Sequence, residues 1–457
     1  MSAMNRREFL SRTQTTGLSA AAGLTLLGNA ASVRATPANE RIVLAVVGVR
    51  GRGSDLSRGF CQRGDCRIAY VCDVDSRLFA SRAKMVAEAQ GGKAPQCVQD
   101  FRKALDDRSV DAVIVATPDH WHVPAALWSC QAGKDVYVEK PLSHNAWEGR
   151  RLVQAARKYR RVVQVGTQNR SAAYNLAAKK YIAEGKLGRV HFCRIYNQKE
   201  WGNFTLAPEG DPPQGFDWDM WNGPAPECRY NAAYIDNWHH LWRYSGGDMA
   251  NDASHQIDLA RWVLGLEHPT SVYSMGGRWD STGAAETPDT QTTIWEFPGM
   301  MVNFELTLYT PYMLKISPLI RQATDKYPYW PQCATRIEVY GSEGLMYLGR
   351  HGGGWQVFTR PKLQEGVLKD QCKGKFPDPE HKQNFVECIR SRQRPNADVE
   401  EGHRSALWIH YGNISYRLGG QKLTIDPKTD EIVDNPAAMQ LFRRKAYRKP
   451  WSIGDEA

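Results

Sequence analysis

A lysine in the segment Asp135–Ser143, DVYVEKPLS, stands where it could take part in acid–base chemistry. Val136–Val138 are β-branched or aromatic residues, which favour a buried strand. Pro141 keeps the residue before it out of the helical region, so we expect Lys140 to end this strand in an extended conformation. Open α/β sheets bind ligands at the carboxyl ends of their strands, and burial lowers the pKa of an amine. The alternative is a surface lysine in an ordinary β–α connection.

A second candidate for proton transfer is His255, near the start of a helical pattern that continues through Trp262. Ile257 and Trp262 have helical spacing and are expected to face the core, so His255 can point into a cleft. An imidazole needs little change in pKa to accept a proton near neutral pH. Asp258, on the same helix, is expected to cap or brace local structure.

The histidines and cysteines give no metal-binding motif. His239, His240, Asp252 and His255 could approach one another, but no ligand spacing links them, so we expect no metal. The ten cysteines are scattered without a CxxC pair, and we expect no disulfide framework.

A glycine-rich loop follows the first apolar run, Arg41–Val47. Such a loop lets a pyrophosphate approach backbone N–H groups at the start of a helix, which we expect near Ser54. The residues predicted to contact the nucleotide here are Gly48, Arg50, Gly51, Arg52 and Gly53. The match to G-x-G-x-x-G is imperfect, because Arg50 holds the second glycine position, and a degenerate loop on a similar fold is the alternative.

An acidic residue at the end of the second strand supports a dinucleotide site. The apolar segment Arg67–Asp75 brings Asp73 to the position, about twenty residues after the loop, that binds the ribose 2′-hydroxyl and favours NAD over NADP. Arg77, with the loop arginines, weakens that preference. A further strand, Val110–Ala116, and its following helix continue the alternation, which predicts a doubly wound parallel sheet.

Together the glycine loop, VCDVD, ATPDHWHVPAAL, AGKDVYVEKPLS and GGDMANDASHQIDLARWVLG resemble the Gfo/Idh/MocA oxidoreductase family over essentially the whole chain after the N-terminal segment. The resemblance implies an α/β fold, with an N-terminal Rossmann sheet and a C-terminal α+β domain that carries a large, mostly antiparallel open sheet. It places Lys140 beside the nicotinamide and the substrate hydroxyl, with His255 as its partner. It also implies that further residues line the cofactor, namely Thr117, Pro118, His122, Glu139 and Gln168.

The sequence departs from the family pattern before the histidine. The family commonly has Asp four residues earlier, where this chain has Asn251 and then Asp252. Which carboxylate assists the histidine is therefore open at this point.

The second half predicts a substrate-binding domain. Strand-like runs are expected at 190–196, 271–275, 290–297, 301–308 and 335–340. Between the first two lies a Trp-rich region in which FDWDMWNGP is expected to be a loop. Its tryptophans could stack on sugars or could simply fill the core. The predicted substrate-contacting residues are Arg170, Trp201, Trp238, Trp242, Asp252 and His255.

The N-terminal residues 1–35 are predicted to be a signal peptide. Arg6-Arg7 followed by EFL resembles the twin-arginine (Tat) signal, which carries folded proteins to the periplasm; a general secretory signal is the alternative. The expected domains are then 40–165 for NAD(P) binding, 166–425 for substrate binding and oligomerisation, and a tail at 426–457. The basic run RRKAYRK, Arg443–Lys449, is expected to be solvated.

Three functions are compatible with these features. The first is oxidation or reduction of a secondary hydroxyl of a sugar or cyclitol by a tightly bound NAD (or NADP). The second is cleavage of a glycoside by oxidation, elimination and re-reduction, and the third is non-catalytic glycan binding by a protein that holds NAD. In each case we expect a carbohydrate partner and a homo-oligomer, with no nucleic acid and no stable membrane anchor.

Overall fold

The structure is a computed structural model that describes residues 41–454 except 202, 280–282, 324 and 363. The expected signal peptide lies outside the described residues. Within residues 41–454, with those gaps, no helix is both long enough and apolar enough to cross a bilayer.

Six parallel strands form the first sheet, as the sequence predicted. They are β1 Ile42–Val47, β2 Cys66–Cys72, β3 Gln96–Val98, β4 Ala112–Val115, β5 Asp135–Val138 and β6 Val163–Val165. Their order is β3-β2-β1-β4-β5-β6, so the chain reverses direction across the sheet between β1 and β4. Ligands bind at such a reversal, outside the carboxyl ends of the strands.

Five helices connect these strands: α1 Gly51–Cys61, α2 Phe79–Ala89, α3 Arg102–Leu105, α4 His122–Gln131 and α5 Ala146–Lys158. Helix α5 begins at Ala146, where the side chain of Asn145 accepts a hydrogen bond from the N–H of Glu148. Helix α1 begins at Gly51 rather than near Ser54, so the glycine loop is itself the first turn of the helix.

Nine strands form the second sheet. They are β7 Val190–Gln198, β8 Ser271–Gly277, β9 Thr290–Phe297, β10 Met300–Thr307, β11 Arg336–Gly341, β12 Leu345–Gly349, β13 Trp355–Thr359, β14 Val367–Cys372 and β15 Leu423–Thr424. Their order is β14-β13-β12-β11-β7-β10-β9-β8-β15. Strands β7 and β10 pair in parallel and the other neighbours pair antiparallel, so the expected open sheet is confirmed as a mixed one.

Helices pack on this sheet and around the cleft. They are α6 Ala173–Ala183, α7 Trp218–Asn222, α8 Ala232–Asn237, α9 Gly247–Asn251, α10 Ser254–Val263, α11 Pro318–Gln322, α12 Asp378–Ser391, α13 Val399–Arg417 and α14 Pro436–Leu441. The expectation of a loop at FDWDMWNGP was wrong for its centre. Asp217 accepts a hydrogen bond from the N–H of Met220 and so starts the short helix α7.

Two late helices join the two halves of the molecule. Phe385 of α12 lies 6.1 Å from Phe60 and 5.7 Å from Tyr137, ring centroid to ring centroid, and so covers one face of the first sheet. Trp408 of α13 packs against the second sheet at 5.2 Å from Trp295. The hydrophobic cores of both sheets therefore contain residues from the last part of the chain.

The basic run Arg443–Lys449 is solvated only in part: Arg443, Lys445 and Lys449 are exposed as expected, whereas Arg444 is not. Arg444 is buried and its Nε donates to Glu148 at 2.7 Å, while the Tyr447 hydroxyl donates to the same carboxylate at 2.8 Å. Trp451 packs edge-on against Trp121 at 5.4 Å. The buried carboxylate of Glu148 requires a partner, and this segment provides it.

The cysteines are separate from one another. All ten lie in the described part of the chain, where each is a free thiol.

Candidate active site

The glycine loop is closely packed against the strand ends. Gly48 has φ +81°, and a Cβ there would lie 2.7 Å from the carbonyl oxygen of Ala116. A Cβ on Gly53 would lie 1.8 Å from the carbonyl oxygen of Gly48. A Cβ on Gly51 would meet nothing within 4 Å, because Gly51 faces the cleft at the start of α1. The loop thus presents helix N–H groups to the cleft, the arrangement that binds a diphosphate.

Asp73 lies at the end of β2 on the floor of this cleft. Its carboxylate accepts the N–H of Val49 at 2.8 Å and that of Asp75 at 3.0 Å. Burial raises the pKa of Asp73, against the effect of these two hydrogen bonds. Each carboxylate oxygen keeps a second lone pair that can accept from a ribose hydroxyl.

The neighbouring arginines are occupied by a different carboxylate. Arg50 Nη2 lies 2.8 Å from Asp75 and Arg77 Nε lies 2.7 Å from it. Because Asp75 pairs with both, these arginines are not free cations beside Asp73. The site therefore fits the two hydroxyls of NAD better than the 2′-phosphate of NADP.

The predicted lining residues Thr117, Pro118, His122 and Glu139 all face the same cleft. His122 is held on both sides, with Nδ1 2.6 Å from the carbonyl oxygen of Pro141 and Nε2 2.9 Å from that of Thr117. Arg52 joins two carboxylates, those of Glu139 at 2.8 Å and Asp378 at 2.7 Å, so it links the cleft to helix α12.

Lys140 is half-buried at the end of β5, between the nucleotide cleft and the second domain. Its Nζ donates to the carbonyl oxygen of Asn251 at the end of α9. Burial lowers the pKa of Lys140, while the nearby carboxylates of Glu139, Asp252 and Asp119 oppose that shift. An amine in this setting can both donate a hydrogen bond and exchange a proton nearer to neutral pH than an exposed lysine.

His255 lies one turn after Asn251, in the first turn of α10. Its ring centroid is 4.3 Å from that of His351, and Nδ1 has no hydrogen-bond partner among the described residues. Burial lowers the pKa of His255 well below its ordinary value, and the adjacent His351 and Arg350 lower it further. The imidazole is therefore neutral near pH 7, with Nδ1 available for a hydrogen bond.

Asp252 pairs with cations. Its carboxylate lies 2.7 Å from Arg350, 3.0 Å from Lys199 and 2.6 Å from Lys315. Although burial alone would raise its pKa, these cations hold the pKa of Asp252 well below its usual range. The carboxylate that the family pattern has four residues before the histidine is thus replaced by an amide, and Asp252 has a different set of partners.

The predicted aromatic contacts separate into two groups. Trp238 lines the cleft, and Trp201 stacks on His239 with ring centroids 4.2 Å apart. Trp242 does not line the cleft, because its ring packs against Arg417 at 5.0 Å and against Tyr416. Its expected contact with substrate is therefore corrected.

Two further predicted residues belong to the core. Arg170 is 1% exposed, with hydrogen bonds to Asp258 at 2.8–3.0 Å, and so it braces helix α10 rather than binding substrate. Asp258 braces structure, as expected. Gln168 donates to the Tyr137 hydroxyl at 3.2 Å beneath the sheet and does not line the cleft.

The Trp-rich region, residues 215–244, forms what we call the cover segment. It is tied to the strand ends by hydrogen bonds from the N–H of Ser76 to Gly215 at 2.9 Å, from Asp217 to Val74 at 2.9 Å, and from His120 to Tyr244 at 3.1 Å. Its side chains close the cleft, and these residues were not predicted: Met220, Trp221 and Ile235. The density of tryptophans was a signal for a packed element, but it did not identify which face contacts the cleft.

From the sequence we expected no metal at His239, His240, Asp252 and His255. The rings of His239 and His240 lie 4.1 Å apart. Burial lowers the pKa of His239 to about 2 and that of His240 to about 4. Within the described part of the chain, no group of three or more His, Cys, Asp or Glu side chains has the geometry to hold a metal ion.

Three family models match consecutive parts of the chain. Residues 42–167 match the oxidoreductase family with an NAD-binding Rossmann fold, residues 175–347 match the GFO/IDH/MocA C-terminal domain, and residues 351–453 match the oxidoreductase family C-terminal alpha/beta domain.

Some curated relatives match the chain at more than 30% identity over part of its length. Inositol 2-dehydrogenase of Rubrobacter xylanophilus is 35% identical over 152 residues, which are 33% of this chain and 42% of that protein. A glycosyl hydrolase family 109 protein of Shewanella pealeana is 31% identical over 173 residues, 34% of this chain and 37% of that protein.

Among solved structures, levoglucosan dehydrogenase in complex with NADH and levoglucosan superposes with a TM-score of 0.61 at 18% identity, over 84% of this chain and 99% of the other. This likeness concerns the fold. The three consecutive family matches show that the chain belongs to the Gfo/Idh/MocA oxidoreductase family and that residues 42–167 are its NAD-binding Rossmann domain.

Proposed function

We propose that the protein is an exported oxidoreductase that transfers a hydride between a secondary hydroxyl of a sugar or cyclitol and a tightly held NAD. The observation that carries this proposal is the placement of Lys140 at the end of β5, facing the nucleotide cleft with its amine on the Asn251 carbonyl. The names of the relatives, an inositol dehydrogenase and a levoglucosan dehydrogenase, support the substrate class.

The chain contributes binding and proton transfer. When bound, NAD would supply the hydride acceptor or donor. Gly48, Gly51 and Asp73 would hold its diphosphate and ribose. Lys140 would hydrogen-bond the reacting hydroxyl, and the neutral His255 would take the hydroxyl proton during oxidation.

The cover segment supports tight retention of the nucleotide. Trp221 and Met220 are buried while they line the cleft, and the hydrogen bonds at Gly215, Asp217 and Tyr244 anchor the segment on both sides. These contacts would slow the release of a nucleotide bound beneath the cover segment. An exported enzyme has no free NAD supply, so retention would let one substrate re-oxidise or re-reduce the cofactor used by another.

The cofactor part of the proposal is tested by mass spectrometry of the small molecules released from the purified, denatured protein. Stoichiometric NAD(H) is expected. Protein that is isolated empty and binds added NAD reversibly would contradict tight retention.

Export rests on the Arg6-Arg7 motif and is tested separately. Replacing both residues by lysine should keep the protein in the cytoplasm, as measured by cell fractionation. Unchanged export of the double variant would overturn the Tat assignment.

A second candidate is glycoside cleavage through transient oxidation, which the match to the glycosyl hydrolase family 109 protein favours. The same Lys140 and His255 would serve. Products distinguish the two functions: cleavage breaks a glycosidic bond without net change in the redox state of the sugar, whereas oxidoreduction changes that state.

A further inference from the structure

We propose that the substrate carries an anionic group, a carboxylate or a sulfate or phosphate ester, and that a cluster of cations beside Lys140 binds it. This inference rests on the proposed function, whose substrate class it narrows. We call Lys199, Lys315, Arg321 and Arg350 the cation cluster.

The cation cluster contains more positive than negative charge. Asp252 is contacted by three of its members, at 2.6–3.0 Å, and the only other carboxylate that pairs with them among the described residues is Asp248, 2.9 Å from Lys199. Four cations thus share two carboxylates. Burial of unbalanced charge is costly, and a bound anion would offset that cost.

The neighbouring charged groups do not supply the missing anions. Three carboxylates act on Lys140, namely Glu139, Asp252 and Asp119. Glu139 pairs with Arg52 and Asp252 with the cluster, so Asp119 remains to balance Lys140. Burial keeps the pKa of His255 and that of His351 well below their ordinary values, so these rings add no charge at neutral pH. The excess of two positive charges therefore belongs to the cation cluster itself.

Like-charge repulsion within the cluster acts on the pKa values of its members. Burial lowers the pKa of Lys315, and Lys199 and Arg350 lower it further, although Asp252 opposes them. Burial and the adjacent Arg350 likewise lower the pKa of Arg321. A negative group placed among these side chains would reverse both effects.

The cluster adjoins the reacting groups. Asp252 directly follows Asn251, whose carbonyl oxygen accepts from Lys140. Arg350 directly precedes His351, which packs on His255. A sugar whose hydroxyl reaches Lys140 and His255 would therefore place a substituent within reach of the cluster.

The cluster is also accessible and has unsatisfied polar atoms at its edge. Lys315 has a side chain that is 39% exposed, and Trp201, beneath the Nζ of Lys199 at 4.2 Å, is 38% exposed. Among the described residues, Thr310 Oγ1 and His351 Nε2 have no hydrogen-bond partner. Anionic oxygens are suitable acceptors for the cations and for the hydroxyl.

The test is direct binding of matched ligands to the protein as purified with its nucleotide, by isothermal titration calorimetry. Glucose is compared with glucuronate, glucose 6-sulfate and glucose 6-phosphate. At least one anionic ligand should bind about tenfold or more tightly than glucose, with an affinity that falls as salt rises. Equal binding of glucose and all three anions would overturn the inference.

Lys315→Met sharpens this test because Lys315 lies at the open edge of the cluster, with a side chain that is 39% exposed. The variant should lose about tenfold in affinity for the preferred anionic ligand and nothing for glucose, while Lys315→Arg should retain the affinity. Lys422→Met is the matched control, since Lys422 pairs with Glu296 at 2.9 Å on the surface and should change neither affinity.

The two proposals can fail separately. Tight binding of an anionic sugar without hydride transfer, followed as nucleotide absorbance at 340 nm (the NADH band), would leave this inference standing and contradict the oxidoreductase. Hydride transfer to or from neutral sugars that bind as tightly as the anionic ones would support the oxidoreductase and contradict this inference.

Discussion

Two networks of charged side chains flank Lys140, and they differ in their balance. On the nucleotide side, Arg52 and Lys382 face Glu139 and Asp378, so two cations meet two carboxylates. On the substrate side, the cation cluster has four cations for two carboxylates. The balanced network joins the Rossmann sheet to helix α12. Each of its charged side chains has an oppositely charged partner within the network.

The contrast extends to how each side would treat a negatively charged ligand. The nucleotide diphosphate would meet backbone N–H groups at the start of α1, so side-chain charge there is free to pair internally. On the substrate side, the positive charge of the cation cluster is carried by side chains. We interpret the balanced network as a contact that holds the Rossmann sheet and helix α12 together. We interpret the excess positive charge of the cation cluster as the sign of an anion-binding site.

The largest effect is expected at the residue between the two networks. Lys140→Ala should reduce turnover by about 10²- to 10⁴-fold, because a positioned proton-transfer group contributes that much, while nucleotide content stays near that of the wild type. Turnover and released nucleotide are measured on the same preparation. Equal loss of both would show that Lys140 binds the cofactor rather than the reacting hydroxyl.

The next largest effect is expected from a substitution in the glycine loop on the nucleotide side. Gly53→Ala should lower the free energy of unfolding by about 1–3 kcal/mol and reduce bound NAD, because its Cβ would lie 1.8 Å from the Gly48 carbonyl oxygen. Gly210→Ala is the control, since nothing lies within 4 Å of its Cβ and Gly210 does not line the cleft. Chemical denaturation and nucleotide content are the measurements. Similar losses in both variants would refute the close-packing explanation.

Removing one cation from the balanced network should also destabilise the protein. Arg52→Ala leaves Glu139 without its ion-pair partner at the sheet edge, and we expect a loss of about 2 kcal/mol in the free energy of unfolding. Arg229→Ala removes an ion pair in which both side chains are largely exposed and should have almost no effect. Urea titration of both variants makes the comparison; equal effects would mean that the network is not structural.

The smallest effect concerns pH and the imidazole next to the cation cluster. The pKa of His351 is lowered in the folded state, so the unfolded chain takes up its proton first and the folded state loses stability as pH falls below the unfolded value of about 6.5. His351→Gln should therefore remove about 1 kcal/mol of the stability loss between pH 6.5 and 5.5. Urea unfolding at both values measures it. An unchanged pH dependence would mean that His351 is protonated in the folded protein.

The sequence predicted best those features that depend on neighbouring residues. The run Ile42–Val47 is apolar throughout and forms the central strand, and the glycines after it form the tight turn that they indicated. Thr290–Phe297 was predicted with its observed limits because its alternating pattern is complete within one strand. Strands β12–β14 were not predicted, since each is short and has glycines nearby.

Errors occurred where a residue depends on a distant partner. Arg170 was assigned to substrate, but its partner Asp258 is 88 positions away in the sequence, and nothing local connects them. Arg444 was expected in solvent, while Glu148 lies 296 positions earlier. In both cases a buried carboxylate determines where the arginine lies, and burial of the carboxylate was not visible in the sequence.

The contact between Trp451 and Trp121 has a consequence for the order of events during synthesis. Trp121 lines the nucleotide cleft and is made early, whereas the side chain that supports its outer edge leaves the ribosome long afterwards. A growing chain that has completed its first sheet already has Phe101 and Trp128 against Trp121 but still lacks Trp451. We expect nucleotide capture to be a late step, so that a chain that already holds its cofactor is one whose translation has passed residue 451.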